Sequence, residues 1–278
     1  MIIQAQAIVL QIRPWSRTSH MVTWLTQDHG KIVTAVKGAC RPKSAFLGQY
    51  DLFYTCDLLF YRREHDGIHA IRECTPIALR TPLRQRWRHA AAAAYLVDLT
   101  ARVSVGQQES GPLFELLTRT LDRLASPLDT DLHSLLLWYE MSLLRLLGLS
   151  PDLTTCPHCH APDRLWLRFS LPSGRFLCPH LAKSQPGEST LALHRDVLDL
   201  FLSLRQNDSS APLNGPLPDA FASKKNAGYA NLLLGLSRFL GMFITFHLDV
   251  PSAVRRVTWE MLDTTPSQKT ALLENKKP

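Results

Sequence analysis

Cys156-Pro-His158-Cys159-His160 and, eighteen residues on, Cys178-Pro-His180 are the residues whose types and spacing most resemble a metal site. A Cys-x-x-Cys knuckle sets two thiolates on one tight turn, and a second knuckle about twenty residues later completes a tetrahedral zinc site. The second knuckle is incomplete, because Leu181 stands where its last cysteine would fall. The expected ligand set is therefore Cys156, Cys159, Cys178 and His180 around a structural Zn2+. His160 and then His158 are the other nearby donors, and a decayed hairpin without metal is the remaining reading. A catalytic zinc would call for a His-x-Glu or His-Glu-x-x-His element, and the sequence has neither.

The second chemically suggestive stretch is Lys31 to Ser44. It carries Lys31, Lys37, Arg41 and Lys43 with no carboxylate among them. Of the 31 lysines and arginines in the 278 residues, thirteen fall in residues 1–90 against six acidic residues. The rest of the chain holds eighteen of each sign, so the whole formal excess of +7 sits in the first third. Excess confined to one region points to a polyanion partner rather than to general solubility. Arg13, Arg17, Lys31, Lys37, Arg41 and Lys43 are the candidate phosphate contacts, interleaved with Trp15, Phe46, Tyr50 and Phe53. Cations with flat side chains are what single-stranded nucleic acid requires. Trp15 and Tyr50 stand in loop-like contexts, whereas the other aromatics read as core. A further basic run, Arg80 to Arg88 with Arg84, Arg86 and Arg88, either extends this footprint or bridges to acidic neighbours. Cys40, Cys56 and Cys74 read as inert, buried or half-buried thiols in a cytoplasmic chain.

The elements that position these residues divide the chain. Residues 1–80 read as five strands: Ala5–Arg13 ending at Pro14, Met21–Thr26, Lys31–Lys37, Leu52–Arg62 and Ile68–Leu79. Asp28-His29-Gly30 and the stretch ending in Gly67 supply turns, and the whole suits a small barrel of the OB or SH3-like type. From Arg84 the period becomes helical: Arg84–Val103 with its five-alanine run, Pro112–Ala125, and Asp131–Leu147 ending at Gly148. The cysteine segment interrupts that pattern before helices resume at Leu193–Leu204 and Tyr229–His247. The expected organisation is thus a barrel over 1–80 and a helical domain in two parts, 81–150 and 186–262. A small zinc-ribbon-like insertion at 151–185 and a tail at 263–278 complete it.

No P-loop, no Gly-x-Gly-x-x-Gly and no Gly-x-Ser-x-Gly elbow is present. The N-terminus lacks the basic and apolar regions of a signal peptide, and the apolar run at Leu232–Val250 is broken by Ser237, Arg238 and His247. A cytoplasmic, non-enzymatic DNA-binding protein is the leading expectation. A zinc-ribbon transcription regulator would differ by preferring one duplex sequence, and a metal-dependent hydrolase by turnover that chelators abolish.

Ala7-Ile-Val-Leu-Gln-Ile-Arg13, Thr23-Trp-Leu-Thr26, His29-Gly30-Lys31 and Val36-Lys37-Gly38-Ala39 followed by Arg41-Pro42-Lys43-Ser44 resemble the N-terminus of the RecO recombination mediators. Leu143-Leu-Arg-Leu-Leu-Gly148, Pro151-Asp-Leu153 and Cys156-x-x-Cys159 resemble that family's central helix and zinc insertion, and Phe239–His247 its last helix. The resemblance implies an OB-fold barrel followed by an all-α domain with a zinc-binding insertion. It also implies binding of single- and double-stranded DNA, annealing of complementary strands, and work with RecR and the single-stranded-DNA-binding protein to load RecA. Cys40 departs from the pattern where a second basic residue is common, and Leu181 departs where the fourth cysteine is usual.

Overall fold

The computed structural model describes residues 1–63, 67–104, 110–127, 131–152, 165–177, 189–210 and 227–263. Its chain separates into two compact units, Met1–Thr130 with Val257–Pro278, and Asp131–Arg256.

The first unit opens with five strands: β1 (Ile2–Ser16), β2 (Ser19–Thr26), β3 (Lys31–Val36), β4 (Thr55–Tyr61) and β5 (Ile68–Ala78). They close into a barrel in the order β1-β2-β3-β5-β4, with β4 returning to β1. All pairs are antiparallel except β3 with β5. That order with one parallel pair is the OB arrangement, and it separates the barrel from an SH3-like one. Alternation drives closure. Ile3, Ala5, Ala7 and Val9 of β1 point inward with Val22, Trp24, Ile32, Val36, Leu58 and Phe60. The indole of Trp24 donates to Thr34 Oγ1 at 2.9 Å, so the largest inward side chain leaves no polar atom stranded.

Several strand limits differ from the sequence expectation, and two of the differences have a local cause. β1 continues through Pro14, which pairs with His20, because the register slips between Pro14 and Ser16 and relieves the missing donor. β4 begins at Thr55 rather than Leu52, since Phe53 takes a φ of 72° and turns the chain. The outer face of β1 is covered by α2 (Trp87–Val103) and α3 (Gly111–Ala125), so Ile8 and Leu10 are buried as well. The alanine run is close-packed as expected, with Ala92 and Ala93 fully buried. A short α1 (Pro82–Gln85) precedes α2, and Arg86 between them is extended, breaking the single helix expected from Arg84. Arg80 sits beneath this junction with its guanidinium 2% exposed, bonded to Asp122 Oδ1 at 2.7 Å, Thr55 Oγ1 at 2.9 Å and the Phe53 carbonyl.

At one end of the barrel His69 is buried and stacked on Phe60, with ring centroids 5.4 Å apart. Its Nδ1 accepts the Arg63 N–H at 3.2 Å, which fits the neutral ring. Burial, and then the charge of Arg62, hold its pKa below the ordinary 6.5. The unfolded chain therefore binds a proton that the folded barrel resists, and folding stability falls as pH drops from the unfolded value through the lower folded one. Thermal melts should lose midpoint below about pH 6.5 in the wild type. The His69→Gln variant should show a flatter dependence over that window, and equal slopes would remove His69 as the cause.

In the second unit α4 (Leu132–Leu146) is capped by Asp131, whose Oδ1 accepts the His133 N–H at 3.3 Å. It ends as the sequence predicts. Gly148 has a φ of 69°, and Leu149 N–H reaches the Leu144 carbonyl at 2.8 Å. β6 (Trp166–Ser170), β7 (Arg175–Leu177) and β8 (Thr190–His194) form a sheet in the order β7-β6-β8. β8 was not expected. The helix read from Leu193 begins only at Arg195 as α5 (Arg195–Ser210), α6 (Ala227–Leu248) follows, and the unit ends within α7 (Ser252–Asp263), at Arg256.

α6 is long and apolar enough to cross a membrane by length and composition, but one face is core. Phe239 and Phe243 pack on Phe169 at 5.1 and 6.0 Å between centroids, and Phe239 lies 6.4 Å from Phe201. Gly235 makes this packing possible, because a Cβ there would fall 2.7 Å from Val197 Cγ2 of α5. Glu140 on α4 is fully buried and held by Arg255 through two bonds, Nε–Oε1 at 2.7 Å and Nη2–Oε2 at 2.9 Å. Cys156, His158, Cys159, His160, Cys178, His180 and Leu181 lie outside the described residues.

Candidate nucleic-acid interface

The β1–β2 hairpin and the loop after β3 build one end of the barrel together. Past Val9 the register of β1 shifts, and its last residues run out with β2 to a tight tip at Ser16 and Ser19. Arg13, Trp15 and Arg17 on this arm are exposed, Trp15 at 51%. The loop after Val36 is bound to the same tip. Cys40 N–H donates to the Thr18 carbonyl at 3.1 Å, and Gly38 N–H donates to Ser19 Oγ at 3.3 Å. Gly38 makes the bend with a φ of 71°, and Arg41 folds back over it, its Cδ 3.4 Å from where a Cβ would stand. Successive turns follow, with Arg41 N–H on the Gly38 carbonyl, Ser44 on Arg41 and Leu47 on Ser44.

These bonds hold the loop that carries Lys37, Arg41 and Lys43 against the tip next to Arg17, with Arg13 further back on the same arm, and all five side chains are exposed. No carboxylate among the described residues pairs with any of them. Five exposed cations and an exposed indole, Trp15, on the arm and loop at this barrel end supply the groups that phosphates and a stacked base require.

The first 80 residues match the family model described as Recombination protein O N terminal, and residues 84–210 match Recombination protein O C terminal. The chain belongs to the RecO family of DNA repair proteins. The relative named DNA repair protein RecO in Alkaliphilus metalliredigens is 31% identical over 178 residues, covering 64% of this chain and 71% of the relative. The Bacillus subtilis protein of that name is 27% identical over 186 residues, covering 67% and 71%. That of Halalkalibacterium halodurans is 26% identical over 183 residues, covering 66% and 70%.

The remaining sequence candidates of this RecO barrel lie elsewhere. Lys31 is at the opposite end of β3 from Lys37, about 20 Å away along the strand. Its Nζ donates to the Ala101 carbonyl at 2.7 Å, in the last turn of α2. A cation on a helix C-terminus is stabilising, and burial lowers the pKa of this lysine. Lys31→Met should cost about 1–2 kcal/mol of stability by the lost charged hydrogen bond. It should leave DNA affinity within about twofold, since no phosphate contact is removed. Denaturant melts and fluorescence anisotropy check the two halves separately.

Arg84 pairs with Asp51, donates to Tyr54 Oη at 2.9 Å and lies over the Tyr54 ring. Arg86 donates to the carbonyls of Leu124 and Ser126 at 3.0 and 2.8 Å, closing the end of α3. Arg88 lies 5.5 Å from the Trp87 ring centroid. Within this second basic run Arg84 meets an acidic neighbour of the barrel and Arg86 braces the end of a helix. Tyr50 is buried and hydrogen-bonded to His20, so its ring is not an exposed stacking face. Sequence reasoning missed His20 and Thr18, whose tether to the basic loop is a tertiary contact with no local signal. Cys40 is exposed, contrary to the expectation of a buried or half-buried thiol.

Proposed function

We propose that this chain is a non-enzymatic recombination mediator that binds single- and double-stranded DNA through the Arg13, Arg17, Lys37, Arg41 and Lys43 surface. In this reading it anneals complementary strands, and it works with RecR and the single-stranded-DNA-binding protein to load RecA. The observation that carries it is a set of five exposed cations, none paired with a carboxylate among the described residues, on the arm and loop that share one end of an OB barrel with Trp15. The mechanism is electrostatic. Cations held on a rigid barrel displace counterions from phosphates, two strands approach with less repulsion, and base pairing then drives the product. Nothing in this reading depends on base identity, because phosphates position without specifying sequence.

A structural Zn2+ held by Cys156, Cys159, Cys178 and His180 belongs to the same proposal. Its support in the described residues is a parallel bridge of Asp152 with Arg175, reinforced by Asp152 N–H on the Gly174 carbonyl at 2.8 Å. That bridge sets side by side the two chain segments that lead into Cys156 and Cys178. Thiolate and imidazole are the donors zinc takes in closed sites, and the metal would tie these segments together without doing chemistry on a substrate.

Annealing of complementary oligonucleotides at two salt concentrations, on protein whose zinc content has been measured, tests both parts. Expected are fast annealing at low salt, steep loss at high salt, equal competition by unrelated sequences, and about one zinc per chain. Absence of annealing at low salt, or strong preference for one duplex sequence, would overturn the mediator reading. Metal-free protein that anneals normally would remove the zinc from it.

A further inference from the structure

Cys40 stands in a three-residue constellation that DNA binding does not use. Its Sγ lies 3.2 Å from His20 Nε2, and His20 Nδ1 lies 2.8 Å from Tyr50 Oη. The three side chains come from the loop after β3, from β2 and from the segment before β4, and the tertiary fold alone brings them together. Tyr50 is 9% exposed and wedged against Trp24 and edge-on to His20, both at 6.0 Å between centroids, so it fixes the imidazole plane. Burial, and then the nearby Cys40, Cys74 and Asp51, raise the Tyr50 pKa far above the usual phenol value, so its hydroxyl keeps its proton. A phenol that keeps its proton still accepts through its oxygen, and with Nδ1–H donating to Tyr50 Oη the Nε2 atom faces the sulfur as an acceptor for the thiol proton. A nucleophile in contact with an imidazole that a third group orients is the arrangement of an activated thiol.

The other two barrel thiols are opposite in character. Cys56 and Cys74 are buried, each donates to the Gln49 carbonyl at 3.6 Å, and the Cys56 pKa is raised by its hydrogen bond with Cys74 and by burial. Thiols in that setting are unreactive.

We propose that Cys40 is an oxidisable thiol that, modified by a hydroperoxide and then by a small anionic thiol, switches off DNA binding by the basic loop. This rests on the DNA reading given above. His20 Nε2 takes the Cys40 thiol proton, the sulfur attacks one peroxide oxygen, an S–O bond forms and the O–O bond breaks. Sulfur is oxidised to the sulfenic acid, and the peroxide is reduced: its leaving oxygen takes the thiol proton back from His20 and departs as water. A small thiol such as glutathione then condenses with the sulfenic acid to a mixed disulfide, releasing water. The adduct places carboxylates beside Arg41 and, through the Cys40–Thr18 bond, beside Arg17. Those are two of the cations that would otherwise meet phosphates.

The test uses the full chain. Hydrogen peroxide with dimedone trapping and peptide mass spectrometry follows the sulfenic acid at Cys40, Cys56 and Cys74. Cys40 should label at least about tenfold faster than the other two, and His20→Ala and Tyr50→Phe should each slow it several-fold. Tyr50→Phe keeps the ring that packs the barrel, so it remains informative if His20→Ala fails to fold. Peroxide followed by glutathione should weaken oligothymidine binding about tenfold, dithiothreitol should restore it, and Cys40→Ser should bind DNA and ignore the treatment. Labelling of Cys40 no faster than Cys56 and Cys74, or unchanged in both variants, overturns the activated thiol. Full modification with unaltered DNA affinity overturns the switch. Untreated protein that does not bind DNA overturns the DNA reading instead, and leaves the labelling rates to be judged by themselves.

Discussion

Replacing Lys37, Arg41 and Lys43 together by alanine should weaken single-stranded DNA binding roughly a hundredfold at about 0.1 M salt. Each cation that meets a phosphate releases about 0.7 of a counterion, so each lost contact forfeits a factor of about five at that salt concentration. Five such cations give a slope of about −3.5 for log affinity against log salt, and the triple variant should retain about −1.4. All three residues are exposed and lie outside the barrel core, so circular dichroism should be unchanged. Lys31→Met is the internal control, because it removes a charge from the same sequence run while leaving the surface intact. An unchanged slope in the triple variant would show that the loop after β3 does not meet phosphates.

The second large effect concerns the buried ion pair of the other unit. Arg255→Met should destabilise the protein by about 3–5 kcal/mol, because it takes the compensating cation from a carboxylate that water cannot reach. Glu140 is fully buried, and Arg255 is itself 12% exposed and supplies two parallel bonds to it. Gly241 leaves the guanidinium its room, since a Cβ there would sit 2.9 Å from Arg255 Nη1. The double variant Glu140→Leu with Arg255→Met should recover most of the loss, because it removes both charges and keeps the volume. Urea melts of the four proteins measure the coupling. A loss below about 1 kcal/mol for Arg255→Met would mean that the pair is as weak as an exposed one.

The barrel was legible because its strands alternate and its turns carry their own residues. β1 buries every second residue from Ile3 to Val9, and Asp28 to Gly30 announces the hairpin into β3. The end of α4 was legible for a similar reason, since Gly148 supplies the left-handed conformation the sequence signal asks for. The strand order was not legible from the pattern of residues. The parallel pairing of β3 with β5 joins residues 33–35 to 68–70, and no local pattern encodes it. β8 was missed because five residues directly before a helix give alternation too little length to register.

The candidate site was read in part. Lys31 and Lys37 stand in one basic run, yet six residues of extended strand carry them to opposite ends of the barrel. Arg84 and Arg86 left two readings open in the sequence because their partners, Asp51 and the carbonyls ending α3, lie more than thirty residues away along the chain. Cys40 read as an inert substitution because its partners, His20 and Tyr50, lie twenty residues upstream and ten downstream.

Amide hydrogen exchange of the full chain with and without an oligothymidine tests the central claim most directly. DNA bound to the barrel end should slow exchange over residues 13–19 and 37–47 and leave β3 near Lys31 and the Arg84–Arg88 run unchanged. Protection confined to segments outside the β1–β2 tip and the basic loop, in protein that binds the DNA, would contradict the account.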